Sequence, residues 1–368
     1  MVKVVLLIPT LDRSGAEKQF ALLACGLPKD EFQVEVICLN RGGVYEEMLK
    51  DHGITPTIIG KRFRFDVSTY FTLKRELKRR QPDILHTWIF AANAYGRLIN
   101  GSNKQTKVLV SERCVDIWKS GWQHWLDRKL INRTTRIVGN SNSVVRFYRE
   151  RGVPEELLVA IPNGIEIPNQ SCTPGERAER LAEFGIPADS HVIGFVGRLA
   201  PQKRVDDLIW ATELLRQLDE KAHFLLIGDG PDRRDLEQFG RSCGAIDRIR
   251  FVGHRNDVPQ LFPTMDAFWL ASDFEGQSNS IMEAMSHGLP VIASNIPENA
   301  ELIVEGETGN LVPVGGRVQF AKAAEKILAD TDLAKRFGDA GRERMRSEFN
   351  VSKMVDAYAD LYRSVLAE

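Results

Sequence analysis

Residues 191–209 read HVIGFVGRLAPQKRVDDLI, and they contain an apolar run, a short loop and the start of a helix. The run HVIGFVG is apolar at nearly every position, which is typical of a strand buried on both faces of a parallel sheet. The loop that follows contains Arg198 and Lys203 and leads directly into a helical pattern. This order of strand, loop and helix predicts one unit of an α/β fold.

The same unit recurs along the whole chain. Helical segments such as AEKQFALLACGL and TYFTLKRELKRR alternate with apolar runs. The pattern predicts two doubly wound, Rossmann-like parallel sheets, whose ligands bind beyond the carboxyl ends of the strands. The predicted strands lie at residues 3–9, 33–39, 55–60, 83–88, 107–112 and 136–141, and then at 191–198, 222–230, 249–254, 265–272 and 290–294.

The length of 368 residues also favours two domains, because it exceeds what one hydrophobic core usually serves. Residues 163–175, NGIEIPNQSCTPG, are rich in Asn, Pro, Ser and Gly, which is typical of a linker. We therefore predict one domain over residues 1–168 and a second over residues 169–349.

The net charge of −1 is unevenly distributed. Residues 1–168 carry 26 Lys and Arg against 18 Asp and Glu, whereas residues 169–368 carry 23 against 32. The basic excess is concentrated in residues 61–80, which contain eight basic and two acidic residues. Such an asymmetry indicates that the first half meets an anionic acceptor, an anionic membrane surface or nucleic acid. We expect no nucleic-acid partner, because no nucleic-acid-binding module is recognisable.

The cysteines and the N-terminal residues indicate a reducing compartment. The five cysteines include no CxxC pair, and the seven histidines show no metal-ligand spacing, so neither a disulfide framework nor a metal site is expected. The first apolar run, Val4–Ile8, is too short for a signal peptide or a membrane span. We predict a cytoplasmic protein that can be peripheral to the inner face of the membrane.

Four loops that follow predicted strands could bind a diphosphate. Each contains small or basic residues just before a helix, and a helix N-terminus offers free N–H groups and a positive dipole end to phosphate. They read PTLDRSGAEKQF, RLAPQKRVDDLI, DGPDRRDL and DFEGQSNSIMEA. None matches the GxxxxGK[ST] of a P-loop or the GxGxxG of a dinucleotide site.

The ordered set VGRLAPQKRVDDLI, IGDGP, FVGHRNDV and FEGQSNSIMEAMSHGLPVIAS resembles the C-terminal domain of retaining glycosyltransferases of family 4. Glu275 and Glu283, with seven residues between them, match that family's E-x7-E signature. The upstream segments SGAEKQF and DILHTW and the terminal helix also match its layout.

The resemblance implies the GT-B fold, in which two such domains face each other across a cleft. The N-terminal domain would bind the acceptor, the C-terminal domain would bind a UDP- or GDP-sugar donor, and the terminal helix, about residues 350–368, would pack back on the N-terminal domain.

The resemblance also implies roles for individual residues. Glu283 would hold the ribose of the donor, and Glu275 would contact hydroxyls of the transferred sugar. Arg198 and Lys203 would stabilise the charge that grows on the leaving diphosphate, so that no metal or other cofactor is required. The backbone of the intervening stretch would face the sugar and the diphosphate, and this stretch contains Gly276, Gln277, Ser278 and Asn279.

Further residues of the implied site come from other loops. Gly15, in a Ser-Gly pair where the family usually has Gly-Gly, would let backbone approach the diphosphate, and Gly230 lies in another strand-end loop. His254 and Arg255 fall where this fold lines the base pocket. His86 falls where the family often places a histidine near the sugar, although not as a general base.

On the acceptor side, Trp118, Trp122 and Trp125 lie on one predicted helical face beside basic residues. Core packing is the common explanation for such a stripe, but a membrane contact or a sugar-stacking platform also fits it. We predict a peripheral enzyme that acts on a saccharide or lipid-linked acceptor.

Two alternatives share the fold. A nucleotide-sugar epimerase or a phosphorylase is disfavoured by the order of the motifs. An inactive sugar-nucleotide-binding protein is disfavoured because Arg198, Lys203, Glu275 and Glu283 are all present.

Overall fold

The computed structural model describes residues 1–63, 66–100, 105–117, 119–169 and 172–368. The chain divides into two compact units, which we call unit 1 (Met1–Gly164 with Phe349–Glu368) and unit 2 (Ile165–Glu348). Each unit is built around one parallel sheet, so the predicted doubly wound α/β architecture is confirmed.

Unit 1 contains a seven-stranded parallel sheet with the order β3-β2-β1-β4-β5-β6-β7. Its strands are β1 Val2–Ile8, β2 Phe32–Cys38, β3 Thr57–Ile58, β4 Ile84–Trp88, β5 Lys107–Glu112, β6 Arg136–Gly139 and β7 Leu158–Ala160. Its first helices are α1 Gly15–Gly26, α2 Glu46–Asp51, α3 Val67–Arg80, α4 Ile89–Asn100, α5 Gly121–Lys129 and α6 Asn142–Glu150. Short 3-10 turns follow at Ile131–Arg133 and Glu155–Leu157.

Unit 2 contains a six-stranded parallel sheet with the order β10-β9-β8-β11-β12-β13. Its strands are β8 His191–Val196, β9 Ala222–Ile227, β10 Ile249–Gly253, β11 Ala267–Leu270, β12 Val291–Ser294 and β13 Gly309–Val312. Its helices are α7 Pro174–Glu183, α8 Val205–Leu218, α9 Arg233–Ser242, α10 Val258–Leu261, α11 Asn279–Ser286, α12 Pro297–Ala300, α13 Arg317–Ala329 and α14 Thr331–Glu348. Pro201–Lys203, Ile246–Arg248 and Phe262–Thr264 form 3-10 turns.

The last helix, α15 (Val351–Ala367), belongs to unit 1. Asn350 caps it by accepting a hydrogen bond from the Lys353 backbone N–H at 2.9 Å. Its buried residues recur every three or four positions and pack with α1 against one face of the sheet. At Gly26 of α1, a Cβ would lie 2.6 Å from Val355 Cγ2, so this glycine permits the close approach of the two helices.

The opposite face of the unit 1 sheet is covered by α3 and α4. Leu73 and Leu77 of α3 and Ala92 of α4 pack there against Val5 and Leu85 of the strands. Within the described residues, no helix has the length and apolar character that crossing a bilayer would require.

The sequence does not predict the strands β7 and β13. β7 is three residues long and only half-buried, and β13 reads GNLV, which includes Gly and Asn. Both lie at an edge of their sheet, where a strand pairs on one side only, so neither shows the apolar run of a central strand.

Candidate active site

The strand order of unit 2 reverses next to β8, because β9 lies on one side of it and β11 on the other. β8 and β11 are therefore the neighbouring strands at which the order reverses, and ligands of open α/β sheets bind beyond the carboxyl ends of the strands at such a point. Residues 197–204 and 271–278 form the loops that leave these two strands. The predicted residues Arg198, Lys203 and Glu275 lie on them.

Direct hydrogen bonds join the two loops. Lys203 Nζ donates to Glu275 Oε1 at 2.5 Å, and Ser272 Oγ donates to the same oxygen at 2.6 Å. Gln202 Nε2 donates to the carbonyl oxygen of Phe274 at 2.6 Å. Glu275 is only 8% exposed, so its carboxylate is held by a cation and a hydroxyl in a partly dehydrated position. The structure thus brings together a lysine and a glutamate that lie far apart in the sequence.

Helix α11 begins directly after this carboxylate. Ser278 is its N-cap and accepts a hydrogen bond from the Ile281 N–H at 3.4 Å. Gly276, Gln277 and Ser278 are buried in the turn, and Asn279 is the first helical residue. The N-terminal N–H groups of α11 therefore lie next to Glu275, where an anion would be favoured.

Glu283 is the fifth residue of α11 and is half-buried. Glu275 therefore lies in the loop before α11, and Glu283 lies inside the helix. Ser272 and Gln202, which hydrogen-bond to Glu275 and to the neighbouring Phe274, are not predicted from the sequence. A serine and a glutamine on separate loops give no signal until the loops are known to meet.

A third loop packs against the first. A Cβ at Gly230 would lie 2.1 Å from the Leu199 carbonyl oxygen, so only glycine fits there. The Leu199 N–H donates to the Asp229 carbonyl oxygen at 3.0 Å, which ties the loop after β9 to the loop after β8. Gly230 thereby lets the loop after β9 pack closely against Leu199, the residue that follows Arg198.

The other predicted site residues of unit 2 with basic side chains are Arg198, His254 and Arg255, and their surroundings differ from those of Lys203. Arg198 and His254 are exposed, and no ion pair holds Arg198 in the part of the chain that the structure describes. Arg255 is engaged within its own unit, because it donates to Asp257 at 2.7 and 2.8 Å and to Glu183 at 2.6 Å. These ion pairs raise the pKa of Arg255 and give its guanidinium a role in holding the loop after β10.

In unit 1, Gly15 is the first residue of α1 and is exposed. Glu17 in the same turn is 6% exposed and accepts hydrogen bonds from Thr10 Oγ1, at 3.1 Å, and from the Ser14 hydroxyl. This acid, which is not predicted from the sequence, orders the loop between β1 and α1. No cluster of three or more potential metal ligands occurs among the residues that the structure describes.

His86 lies in the core of unit 1, which contradicts the expectation that it contacts a sugar. Its side chain is 0% exposed. Nδ1 is hydrogen-bonded to the Tyr362 hydroxyl at 2.7 Å, and Nε2 to Ser111 Oγ at 2.8 Å. Both ring nitrogens are therefore used by the protein itself. Burial, reinforced by the charge of Arg113, lowers the pKa of His86 from 6.5 to about 3.

This burial predicts a pH-dependent stability. Unfolded His86 takes up a proton below about pH 6.5, whereas folded His86 stays neutral until about pH 3, so stability is lost as the pH falls through this window. At about pH 5 the loss should be about 2 kcal/mol relative to about pH 7.

Urea unfolding at the two pH values measures this loss, and His86→Gln should lack it, whereas the exposed-residue control His52→Gln should keep it. Equal pH dependence in wild type and His86→Gln would contradict the assignment.

The sequence matches known families over most of its length. Residues 176–344 match Glycosyl transferases group 1, and residues 13–167 match Glycosyltransferase Family 4. Lipopolysaccharide core biosynthesis glycosyltransferase LpsE of Rhizobium meliloti (strain 1021) is 26% identical over 292 residues, which are 79% of each chain. The Escherichia coli UDP-Gal:alpha-D-GlcNAc-diphosphoundecaprenol alpha-1,3-galactosyltransferase is 26% identical over 360 residues, 91% of this chain and 90% of that one.

A solved structure shows the same fold. Anabaena Alr3699/HepE in complex with UDP-glucose aligns with a TM-score of 0.85 and 21% identity, covering 99% of this chain and 100% of that one. The fold of that protein agrees with the two family matches and with the two parallel sheets of this structure. The chain belongs to the group 1 glycosyltransferases of family 4, and it is a glycosyltransferase with the GT-B fold.

Proposed function

We propose that this enzyme transfers a sugar from a UDP- or GDP-sugar to a saccharide or lipid-linked acceptor, with retention of configuration, in the synthesis of a cell-surface polysaccharide or glycolipid. The observation that carries the proposal is the ion pair between Lys203 and Glu275 at the start of α11, at the switch point of the unit 2 sheet. The names of LpsE and of the E. coli galactosyltransferase, and the UDP-glucose in the HepE complex, support it.

The proposed donor site is formed by the segment from Glu275 to Glu283, with one acid at each end. A diphosphate between the acids would accept hydrogen bonds from the first N–H groups of α11. Glu275, oriented by Lys203 and Ser272, would accept hydrogen bonds from hydroxyls of the transferred sugar. Glu283, one turn into α11, would accept hydrogen bonds from the ribose hydroxyls.

The proposed chemistry follows from where charge develops. When the bond between the sugar and the phosphate oxygen breaks, negative charge grows on the leaving diphosphate, and Lys203 and Arg198 stabilise it. The acceptor hydroxyl attacks on the same face, and its proton passes to the leaving phosphate oxygen. The proposal needs no protein nucleophile: the Glu275 oxygen that Lys203 and Ser272 hold is suited to orienting the sugar rather than attacking it. It also requires no metal or other cofactor.

A panel of UDP-, GDP- and ADP-sugars tests the donor and the reaction. We expect one nucleoside diphosphate to stabilise the protein, by about 2.7 kcal/mol at 100 times its dissociation constant. The matching sugar nucleotide should release that nucleoside diphosphate when acceptor is added, and the product should keep the anomeric configuration of the donor. An isomerised sugar nucleotide would instead indicate an epimerase, and binding without turnover an inactive binding protein.

Unit 1 also has a surface suited to an anionic membrane, and we propose that the enzyme binds there. Phe63, which precedes α3, is 63% exposed, and Val67 and Phe71, in the first two turns of α3, are 66% and 63% exposed. Exposed basic residues lie around them and along the same helix: Arg62, Lys74, Arg75, Lys78 and Arg79. Exposed aromatic rings beside cations favour the interface of an anionic bilayer.

A second exposed patch lies on α5. Trp122 is 38% exposed and Trp125 is 59% exposed, so core packing does not account for the face that they share. Trp122 packs edge-on against Phe90, at a centroid distance of 5.6 Å. The third residue of the predicted stripe, Trp118, lies outside the described residues.

Vesicle co-sedimentation tests the surface on α3. The double variant Phe63→Ser/Phe71→Ser should bind anionic vesicles at least about tenfold more weakly, because each phenylalanine contributes about 1.5–3 kcal/mol when its ring is fully buried. Val318→Ser, which changes an exposed apolar residue of unit 2, is the matched control. Absence of wild-type binding at moderate salt would reject the membrane contact.

A further inference from the structure

The deeply buried cations of unit 1 are paired with carboxylates. Arg97 is paired with Asp127, and Lys119 lies 2.8 Å from Asp116 and 3.0 Å from Asp127. Arg80 is likewise held by Glu76, at 3.2 Å, and by Glu35. This is the usual arrangement, because a buried charge without an opposite charge is strongly destabilising.

Arg113 is an exception within the described part of the chain. Its guanidinium lies over the Trp88 ring, 4.4 Å from the centroid, and donates to the Tyr358 hydroxyl at 3.4 Å and to Asn163 Oδ1. All three partners are neutral, and no carboxylate lies within ion-pair distance among the described residues. Burial lowers the pKa of Arg113, and only Tyr358 opposes this. The residue nevertheless keeps part of its surface accessible.

Polar atoms around Arg113 are also unsatisfied. Arg113 Nε, Trp88 Nε1 and Asn140 Oδ1 are buried, and none has a hydrogen-bond partner among the described residues. Each such group costs about 1–3 kcal/mol. One such atom on the cation itself and two on its neighbours indicate a site that is not arranged for the stability of the protein alone.

These residues follow three neighbouring strands. Trp88 ends β4, Arg113 follows β5 and Asn140 follows β6, so they meet at the carboxyl edge of the unit 1 sheet. Ile89, the next residue after Trp88, has φ +69°. A β-branched residue in this left-handed region is strained, and such strain is found mainly at functional sites.

We propose that Arg113 binds a phosphate group of the acceptor at this edge of unit 1. The proposal rests on the proposed function, in which unit 1 binds the acceptor. A phosphate would supply the missing negative charge, and the forked guanidinium can donate two parallel hydrogen bonds to its oxygens. The Trp88 ring and Asn163 hold the fork, so little side-chain freedom is lost on binding.

Calorimetric titration of the full chain with inorganic pyrophosphate tests the site. The titration is done with the donor site saturated by the nucleoside diphosphate that stabilises the protein most. We expect wild type to bind pyrophosphate and Arg113→Gln to bind it at least about tenfold more weakly, with nucleoside diphosphate affinity unchanged. Arg113→Lys, which keeps the charge but loses the fork, should be intermediate.

Controls separate binding from folding. Arg133→Gln, which removes a charge elsewhere in unit 1, should leave pyrophosphate affinity unchanged, and each variant is used only if its melting temperature lies near that of wild type. Equal pyrophosphate affinity in wild type and Arg113→Gln would overturn the proposal. So would loss of wild-type pyrophosphate binding when the nucleoside diphosphate is added, or weaker nucleoside diphosphate binding by Arg113→Gln.

Two further probes identify the source of the phosphate. Geranyl diphosphate represents a lipid-linked acceptor and glucose 1-phosphate a water-soluble one. The probe whose affinity falls at least about tenfold in Arg113→Gln identifies the acceptor class, and no fall for either would overturn the proposal. The proposed function fails separately, if no sugar nucleotide in the panel releases its nucleoside diphosphate.

Discussion

Lys203→Ala is expected to lower kcat by about 10²–10³-fold, because it removes a preorganised cation from the position where the leaving diphosphate gains charge. The effect should lie mainly in kcat, since the charge on the diphosphate increases as the bond breaks. Steady-state kinetics with the donor identified by the panel measures it. Lys221→Ala, which removes a lysine that pairs with Asp189 on the surface of unit 2, should leave kcat unchanged.

The contact between Lys203 and Glu275 also predicts how the double variant of these two residues should behave. Because Lys203 orients the carboxylate, its removal also frees Glu275, and the two single variants should share part of their effect. The double variant Lys203→Ala/Glu275→Ala should therefore lose less activity than the product of the two single losses. Fully independent losses would show that the two residues act apart, and an unchanged kcat in Lys203→Ala would reject its catalytic role.

Glu283→Ala is expected to raise the dissociation constant of the nucleoside diphosphate by about 10–100-fold. A carboxylate that accepts hydrogen bonds from two ribose hydroxyls contributes about 1.5–3 kcal/mol through each charged hydrogen bond, part of which water replaces in the variant. Glu275→Ala should instead lower kcat by at least about 10²-fold and change that dissociation constant by only a few-fold, because it would contact the sugar and not the nucleotide.

Calorimetry with the nucleoside diphosphate and steady-state kinetics separate the two effects. Glu283→Gln keeps one acceptor oxygen and should lose less affinity than Glu283→Ala. Glu325→Ala, on the exposed side of α13, is the matched control and should change neither property. If both glutamate variants lost affinity and turnover equally, the division between a ribose acid and a sugar acid would be wrong.

The sequence predicted the fold well because the apolar runs and helical patterns that indicate strands and helices are local. The apolar run HVIGFVG and the helical pattern after Arg204 can be read within a few turns of chain, and β8 and α8 form there. Edge strands are the exception. β13 forms a strand because it pairs with β12, with Val291 opposite Gly309, and its own sequence does not predict a strand.

The acids of the candidate site were also visible locally, since the spacing of Glu275 and Glu283 is a property of one segment. The contacts of His86 and Arg255 were not. His86 stands in an ordinary strand sequence, but Tyr362, from the other end of unit 1, and Ser111 enclose it. Arg255 lies in a loop typical of ligand binding, but its guanidinium forms ion pairs with Glu183 and Asp257.

The sequence by itself thus determined the two-sheet α/β architecture, because hydrophobic periodicity acts over neighbouring residues. The resemblance of its motifs to known proteins gave the family and the segment that carries the two acids. Only the tertiary structure decided which charges meet. It brought Lys203 to Glu275, closed His86 inside the core and left Arg113 without a carboxylate. Burial and pairing depend on residues that the sheet topology assembles from distant parts of the chain, so no single segment encodes them.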